Sequence, residues 1–207
     1  MYTFDPRHAW SRVLRASVTV ALLVCTAAAF AAGPMEEIKA VTDKVLNDLN
    51  DPAVQGDAKK AERIRRVRTV VSPHFAWEES AKACLGKHWR NRTPAERTEF
   101  TKLFSGFLQD TYAEKLAVYY GNLDRTDYKT EKILDGNEAA LVRVVIVTKK
   151  KVEHPVEYRM KHIGGRWQIY DALIEGVSMV KNYRDQFDAI IAKSGFDGLL
   201  KELRARK

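Results

Sequence analysis

The sequence predicts an α+β fold in which helices pack against one face of a curved antiparallel sheet. From residue 34 to residue 120, apolar residues recur at the three- and four-residue spacing of amphipathic helices. From residue 128 to residue 174 they recur at every second position, and glycine-rich turns separate the runs. Helical spacing then returns to the end of the chain. Helices, then a strand meander, then helices indicate an α+β fold around an apolar interior.

The first 31 residues predict a cleaved secretory signal peptide. Three arginines precede an apolar run from residue 16 to residue 29, and Ala29-Phe30-Ala31 has the small-residue pattern of a cleavage site. The apolar run is too short for a membrane-spanning helix. We therefore expect residues 32–207 to form one exported domain.

The exported part is basic and nearly free of cysteine. It carries 32 lysines and arginines against 26 aspartates and glutamates, a formal charge of +6. This charge favours anionic membrane surfaces or acidic proteins as partners, and export excludes nucleic acid. Cys84 is its one cysteine, so no internal disulfide is expected and stability must come from core burial.

About six to seven helices are expected. Thr93 to Glu96 forms a capping box, Ser72-Pro73 is a typical helix start, and Gly86 is a typical helix end. The expected helices span 34–50, 57–71, 72–85, 94–120, 178–193 and 196–205.

Four antiparallel strands are expected between these helices. They span 128–134, 139–149, 152–163 and 166–174, and Gly164-Gly165 makes a hairpin turn between the last two. Glu175-Gly176 is expected to act as a hinge that leads the last strand directly into a helix capped by Ser178.

The sequence contains little that indicates catalysis. No histidine, cysteine or acidic residues have metal-ligand spacing, and no nucleophile or phosphate-loop motif is present. Alternation places Asp171 on the same strand face as Trp167 and Ile169. A buried carboxylate needs partners, and Tyr183 and Arg184 are expected to supply them in a structural clamp. We expect no catalytic residue, no metal and no cofactor.

Four arginines lie within the second helix. They are Arg63, Arg65, Arg66 and Arg68, opposite an apolar stripe. Such a run is typical of a solvated helix face, and it also fits a docking patch for a partner protein or lipid head groups.

Several motifs resemble the MlaC family, also called the toluene-tolerance family. The strongest are W-Q-I-Y-D from Trp167, E-G-V-S-M-V from Glu175 and N-Y-R-x-Q-F from Asn182. Two motifs nearer the N-terminus occur in the same order as in the family. They are L-G-x-x-W from Leu85 and T-P-x-x-R from Thr93. The resemblance covers residues from about 35 to 205.

The resemblance implies a periplasmic phospholipid carrier with an NTF2-like sheet. Such carriers hold the acyl chains inside and leave the head group towards solvent. Their partners are an inner-membrane ABC transporter with an MCE-domain protein and an outer-membrane lipoprotein–porin complex. Their transport maintains the lipid asymmetry of the outer membrane. The bound phospholipid is cargo, and neither a cofactor nor catalysis is implied.

Strand alternation and helix stripes give candidates for the lipid-lining residues. They are Phe104, Phe107, Leu108, Tyr112, Val144, Ile146, Tyr158, Met160, Trp167, Ile169, Val177 and Val180. Tryptophan or arginine at Val177 or Val180 is expected to exclude lipid without unfolding the protein.

Three other functions fit the same sequence. A related carrier would take hopanoids or other apolar lipids. An NTF2-like enzyme would use Asp171 with His162 or Tyr158 for proton transfer. An adaptor without a cavity would dock through its arginine-rich helix.

Overall fold

A computed structural model describes residues 32–206, and the predicted signal peptide lies outside this range. The described part contains five α-helices and a five-stranded antiparallel sheet. The helices are α1 (Pro34–Asn50), α2 (Lys60–Val71), α3 (Trp77–Leu85), α4 (Pro94–Gly121) and α5 (Met179–Ala205). The strands are β1 (Leu123–Leu134), β2 (Ala139–Thr148), β3 (Glu153–Ile163), β4 (Arg166–Ile174) and β5 (Val177–Ser178).

Helix α4 begins as its sequence predicts. The Thr93 hydroxyl accepts a hydrogen bond from the Glu96 backbone amide at 3.3 Å, and the Glu96 carboxylate accepts one from the Thr93 amide at 2.7 Å. This reciprocal pair satisfies two backbone donors that the first helical turn leaves without partners. The start of the longest helix is therefore fixed locally.

Two helix boundaries differ from the expectation, and the second of these differences lowers the number of helices from the expected six to seven to five. Ser72–His74 forms only a short 3₁₀ turn, because the Ala76 amide donates to the Ile169 carbonyl at 2.8 Å and holds the chain extended there. The third helix therefore begins at Trp77. The two predicted C-terminal helices form one run that is interrupted at Gly195, whose φ of 71° is left-handed.

The sheet is a meander in the order β1-β2-β3-β4-β5, with one strand more than predicted. The extra strand arises because Glu175 and Gly176 both have positive φ, 51° and 82°. This combination is the two-residue type I′ turn that matches strand twist. The chain therefore turns back and pairs Ile174 with Val177 before α5 begins, so the expected simple hinge is wrong.

A bulge in β4 changes which face Asp171 occupies. Arg159 pairs with Asp171 and Met160 pairs with Ile169, so Tyr170 is the extra residue. A one-residue insertion reverses the alternation beyond it. Ile169 and Ala172 consequently share one face, while Asp171 lies on the other, contrary to the expected common face.

Buried apolar residues form three clusters. The first joins α3, α4 and α5 and is rich in aromatic rings. The second covers one face of β2, β3 and β4 and includes Ile38 of α1. The third lies between α1 and α2, against the end of α4. No helix among residues 32–206 is long and apolar enough to cross a bilayer.

Candidate functional site

An apolar cavity lies between the sheet and helices α1, α2 and α4. The volume free of protein atoms is about 1320 Å³, which includes solvent at its openings. Val144, Val156 and Ala172 form its sheet wall, and Leu116 and Tyr120 of α4 lie opposite. The lining is overwhelmingly apolar, with few polar side chains such as Arg68, Gln109 and His154. Such a site suits hydrocarbon.

Six of the twelve predicted lining residues lie on the wall of this cavity. They are Leu108, Tyr112, Val144, Ile146, Tyr158 and Ile169. These positions come from both α4 and the sheet, so the structure brings together residues that are far apart in the sequence. Their contact with lipid stays a prediction.

The other six predicted lining residues lie elsewhere. Phe104, Phe107 and Val180 pack in or against the helical cluster, because α3 and α5 cover that part of α4. Met160 and Trp167 are buried within the sheet cluster and do not reach the cavity. Val177 is 65% exposed, because the type I′ turn carries it to the surface.

The first two helices form a further wall of the cavity that was not predicted from the sequence. Ile38 and Val41 of α1, with Val67 and Val71 of α2, line the cavity. Their helical periodicity was visible in the sequence. Periodicity identifies an inward-facing stripe, but it does not distinguish a stripe that meets side chains from one that meets a void.

A group of hydroxyl-bearing side chains lies at one side of the cavity. The buried Thr42 lies close to the phenols of Tyr120 and Tyr128. Burial raises the pKa of both phenols and, more strongly, that of Tyr158. All of these hydroxyls are therefore neutral donors at physiological pH.

A polar chamber adjoins the cavity at this side. Thr42, Tyr120, Leu123 and Thr126 belong to the walls of both spaces. Most of the remaining chamber wall is polar, and Leu46, Leu49 and Ala117 are its apolar members. The polar members include Asp43, Gln55, Arg63, Asp124, Arg125 and Lys149. An apolar space and a polar space thus meet at a shared boundary.

The arginines of α2 are engaged within the protein. Arg63 donates to the Val54 and Gly56 carbonyls, Arg65 pairs with Glu62, and Arg66 pairs with Asp51 and Glu62. Arg68 pairs with Asp110 of α4. Three of the four arginines are thus in ion pairs, which reduces the charge available to the alternative of a docking patch and attaches α2 to its neighbours.

Asp171 is a structural clamp, but its predicted partners are wrong. Its carboxylate accepts from the Ser178 hydroxyl at 2.7 Å and the Val180 amide at 3.0 Å, and Arg159 lies 3.6 Å away. Arg184 instead donates to the Ala83 carbonyl at 2.7 Å, and the Tyr183 ring packs edge-on against the Phe107 ring of α4.

The residues named in the enzyme hypothesis are not brought together at the cavity. Tyr158 lines the cavity but Asp171 and His162 do not, so neither pair of the enzyme hypothesis, Asp171 with His162 or Asp171 with Tyr158, meets at the cavity. Within residues 32–206, no group of three or more histidine, cysteine or acidic residues could hold a metal ion. Cys84 is buried, and burial raises its thiol pKa, which suits an inert core residue.

Known proteins match this chain over most of its length. The chain is 26% identical over 200 residues to the intermembrane phospholipid transport system binding protein MlaC of Haemophilus influenzae, covering 94% of this chain and 91% of that protein. It is 24% identical over 165 residues to the toluene tolerance protein ttg2D of Pseudomonas putida, covering 79% and 75%.

A solved structure shares the fold. It is the phospholipid-binding protein of Ralstonia solanacearum in complex with a phospholipid, with a TM-score of 0.71 and 23% identity. The match covers 84% of this chain and 97% of the other. The sequence profile described as "MlaC protein" matches residues 39–205. This chain therefore belongs to the MlaC family.

Proposed function

We propose that this protein is a periplasmic phospholipid carrier that holds acyl chains in the cavity between the sheet and helices α1, α2 and α4. The unfilled apolar cavity is the observation that carries the proposal. A domain that needed only stability would fill this space, because protein interiors are close-packed. Membership of the MlaC family and the phospholipid named for its relatives support the same function.

The energetics of transport explain the cavity. Burial is worth about 0.8 kcal/mol for each methylene, so a dozen exposed methylenes would cost about 10 kcal/mol in water. An apolar wall removes most of that cost while the lipid crosses the aqueous space between two membranes. The protein then needs to bind and release its cargo, with no bond made or broken.

The proposed partners follow from the family. The carrier would exchange lipid with an MCE-domain ABC transporter complex at the inner membrane and with a lipoprotein–porin complex at the outer membrane. Through this exchange it would maintain outer-membrane lipid asymmetry. The export signal predicted for residues 1–31 is consistent with the periplasm.

Native mass spectrometry of residues 32–207, purified without detergent, tests the proposal. We expect a phospholipid adduct at near-stoichiometric occupancy, and organic extraction would identify it. Extraction of a hopanoid would instead support the alternative cargo. An apo mass that stays unchanged after incubation with phospholipid vesicles would contradict carriage.

A cavity-filling variant sharpens this test. Ala172 faces the cavity, so Ala172→Phe places a phenyl ring in the space proposed for acyl chains. Ala189→Phe is the matched control, because Ala189 is exposed on α5. We expect cargo occupancy to fall at least about tenfold in the first variant, equivalent to about 1.4 kcal/mol, and to persist in the control. Equal occupancy in both would contradict a lipid site in this cavity.

A further inference from the structure

Hydroxyl groups mark the place where the apolar cavity meets the polar chamber. Thr42, Tyr120 and Thr126 belong to the walls of both spaces, and Tyr128 lies in the chamber wall. Hydroxyl groups therefore lie between the apolar cavity wall, which suits hydrocarbon, and the polar chamber wall, which suits charged groups. A phospholipid has the same order of groups along its length, with apolar acyl chains, then ester groups, then a charged head group.

Tyr158 adds a phenol on the cavity side of this boundary. It pairs with Val142 in β2 and Ala172 in β4, which places its ring on the cavity face of the sheet. Among residues 32–206, no side chain or backbone group forms a hydrogen bond with its hydroxyl. Tyr120 and Tyr128 are close enough to influence its ionisation. The Tyr158 hydroxyl is not one of the fully enclosed polar atoms that lack a partner in residues 32–206, so a molecule in the cavity can reach it and supply the acceptor.

We propose that the hydroxyls of Tyr158 and Tyr120 donate hydrogen bonds to the ester carbonyls of a bound diacyl phospholipid, and that the head group consequently lies in the polar chamber. This inference rests on the proposed function. Ester carbonyls are acceptors only, and they lie between the acyl chains and the phosphate. Phenol donors at the boundary would therefore set how deeply the lipid enters.

The chamber has a cation suited to the phosphate. The Lys149 ammonium donates to the Gly121 carbonyl at 2.9 Å, and no carboxylate of the described chain lies within ion-pair distance of it. Arg63 in the same wall is occupied by two backbone carbonyls. On the opposite side of the cavity, near Ser72 and Gln109, the available cation is Arg68, which already pairs with Asp110. The chamber wall also holds the carboxylates of Asp43 and Asp124, and Asp124 already pairs with Lys151 and Arg125. Because Lys149 has no such pair in the described chain, the chamber is the better site for a phosphodiester.

Comparison of ester and ether lipids tests the hydrogen bonds. Dialkyl ether phosphatidylcholine lacks the ester carbonyls but keeps the tails and the head group. We expect Tyr158→Phe to weaken binding of diacyl phosphatidylcholine roughly twofold to tenfold, as the loss of one hydrogen bond predicts, and to leave binding of the ether lipid unchanged. Tyr170→Phe, which alters a phenol away from the cavity, should change neither affinity.

The possible failures are distinguishable. An equal effect of Tyr158→Phe on both lipids, or no effect on either, would overturn the hydrogen-bonding role and leave the carrier function standing. If the unaltered protein bound neither lipid, both the inference and the proposed function would fail.

A photoreactive head group tests its location independently. Phosphatidylethanolamine carrying a diazirine on its amine should crosslink to the chamber wall, at residues such as Asp43, Leu46 and Gln55. Mass spectrometry of the digested protein identifies the labelled residues. Crosslinks confined to Ser72 and Gln109, on the opposite side, would overturn the assignment of the chamber.

Discussion

The two halves of α4 carry similar apolar stripes but serve opposite purposes. In the first half, Phe100 and Phe104 are fully buried and pack against Tyr183 and Phe187 of α5. In the second half, Tyr112, Leu116 and Tyr119 line the cavity and stay partly accessible. The difference arises from what faces the helix. Two helices close over the first half, whereas the sheet stands away from the second.

This comparison shows how a small domain can hold a cavity and remain stable. The aromatic cluster supplies dense packing at one end, with ring centroids 5.6–6.5 Å apart around Phe104. The side chains at the cavity end can then have fewer packing contacts while the domain remains folded. Leu108 belongs both to the aromatic cluster and to the cavity wall, so it marks the transition along α4.

The largest expected effect comes from breaking the packed half. Phe104→Ala should lower the free energy of unfolding by about 3–5 kcal/mol, because it opens a void among rings that cannot collapse around it. Leu116→Ala in the cavity half should cost only about 1 kcal/mol, because that side chain already borders open space. Urea unfolding of both lipid-free variants measures the difference. Equal losses would contradict the division of α4 into packed and open halves.

A smaller effect is expected at the joint between the sheet and α5. Asp171→Ala removes the acceptor of the Val180 amide and the Ser178 hydroxyl, which should cost about 1–3 kcal/mol. Asp185→Ala is the control, because its ion pair with Lys181 is exposed and worth at most about 1 kcal/mol. Thermal unfolding gives the stabilities.

The Asp171→Ala variant should carry as much lipid as the parent protein when both are measured at a temperature where the variant is folded. Asp171 lies on the sheet face away from the cavity and contributes no wall to it. Loss of binding by a fully folded variant would show that the clamp also shapes the lipid site.

The smallest expected effect concerns the arginine-rich helix α2. Hydrogen bonds from Arg65 and then Arg66 lower the pKa of the Glu62 carboxyl from 4.5 to about 2. A lowered folded-state pKa contributes stability above the unfolded value, and this contribution is lost as pH falls from about 4.5 to about 2. Because the pair is exposed, the contribution should be small.

The Glu62→Gln variant tests the direction in which this contribution to stability changes with pH. The variant should unfold at a slightly lower temperature than the parent near neutral pH, and the two should converge as pH falls towards 2. Glu78→Gln provides the control, because Glu78 is exposed and has no ion pair within the described chain. A difference that grew towards low pH would contradict the assigned direction.

Local signals in the sequence predicted most of the elements. Thr93 and Glu96 fixed the start of α4, and Gly164-Gly165 fixed the hairpin between β3 and β4, because caps and tight turns depend on neighbouring residues. Strand β5 was missed, since Glu175 at positive φ is uncommon for a residue other than glycine. The bulge at Tyr170 was also missed, because pairing with β3 creates it.

The candidate site was only half predictable for the same reason. Tyr112 and Phe107 look alike on the stripe of α4, yet the first lines the cavity and the second packs on the helical cluster. Likewise Ile169 and Trp167 share a strand face, but only Ile169 reaches the cavity. Which member of such a pair meets open space depends on the opposing element.

Local patterns and residue identity were enough to predict the family and the order of every element except β5, and they showed no recognisable catalytic motif. The tertiary structure decided that the sheet and α4 do not close on each other, that a polar chamber adjoins the cavity, and that the arginines of α2 bind internal partners. Each of these depends on distances between elements far apart in the chain. Apolar periodicity specifies which residues turn inward, and only packing decides whether they meet a neighbour or leave room for a ligand.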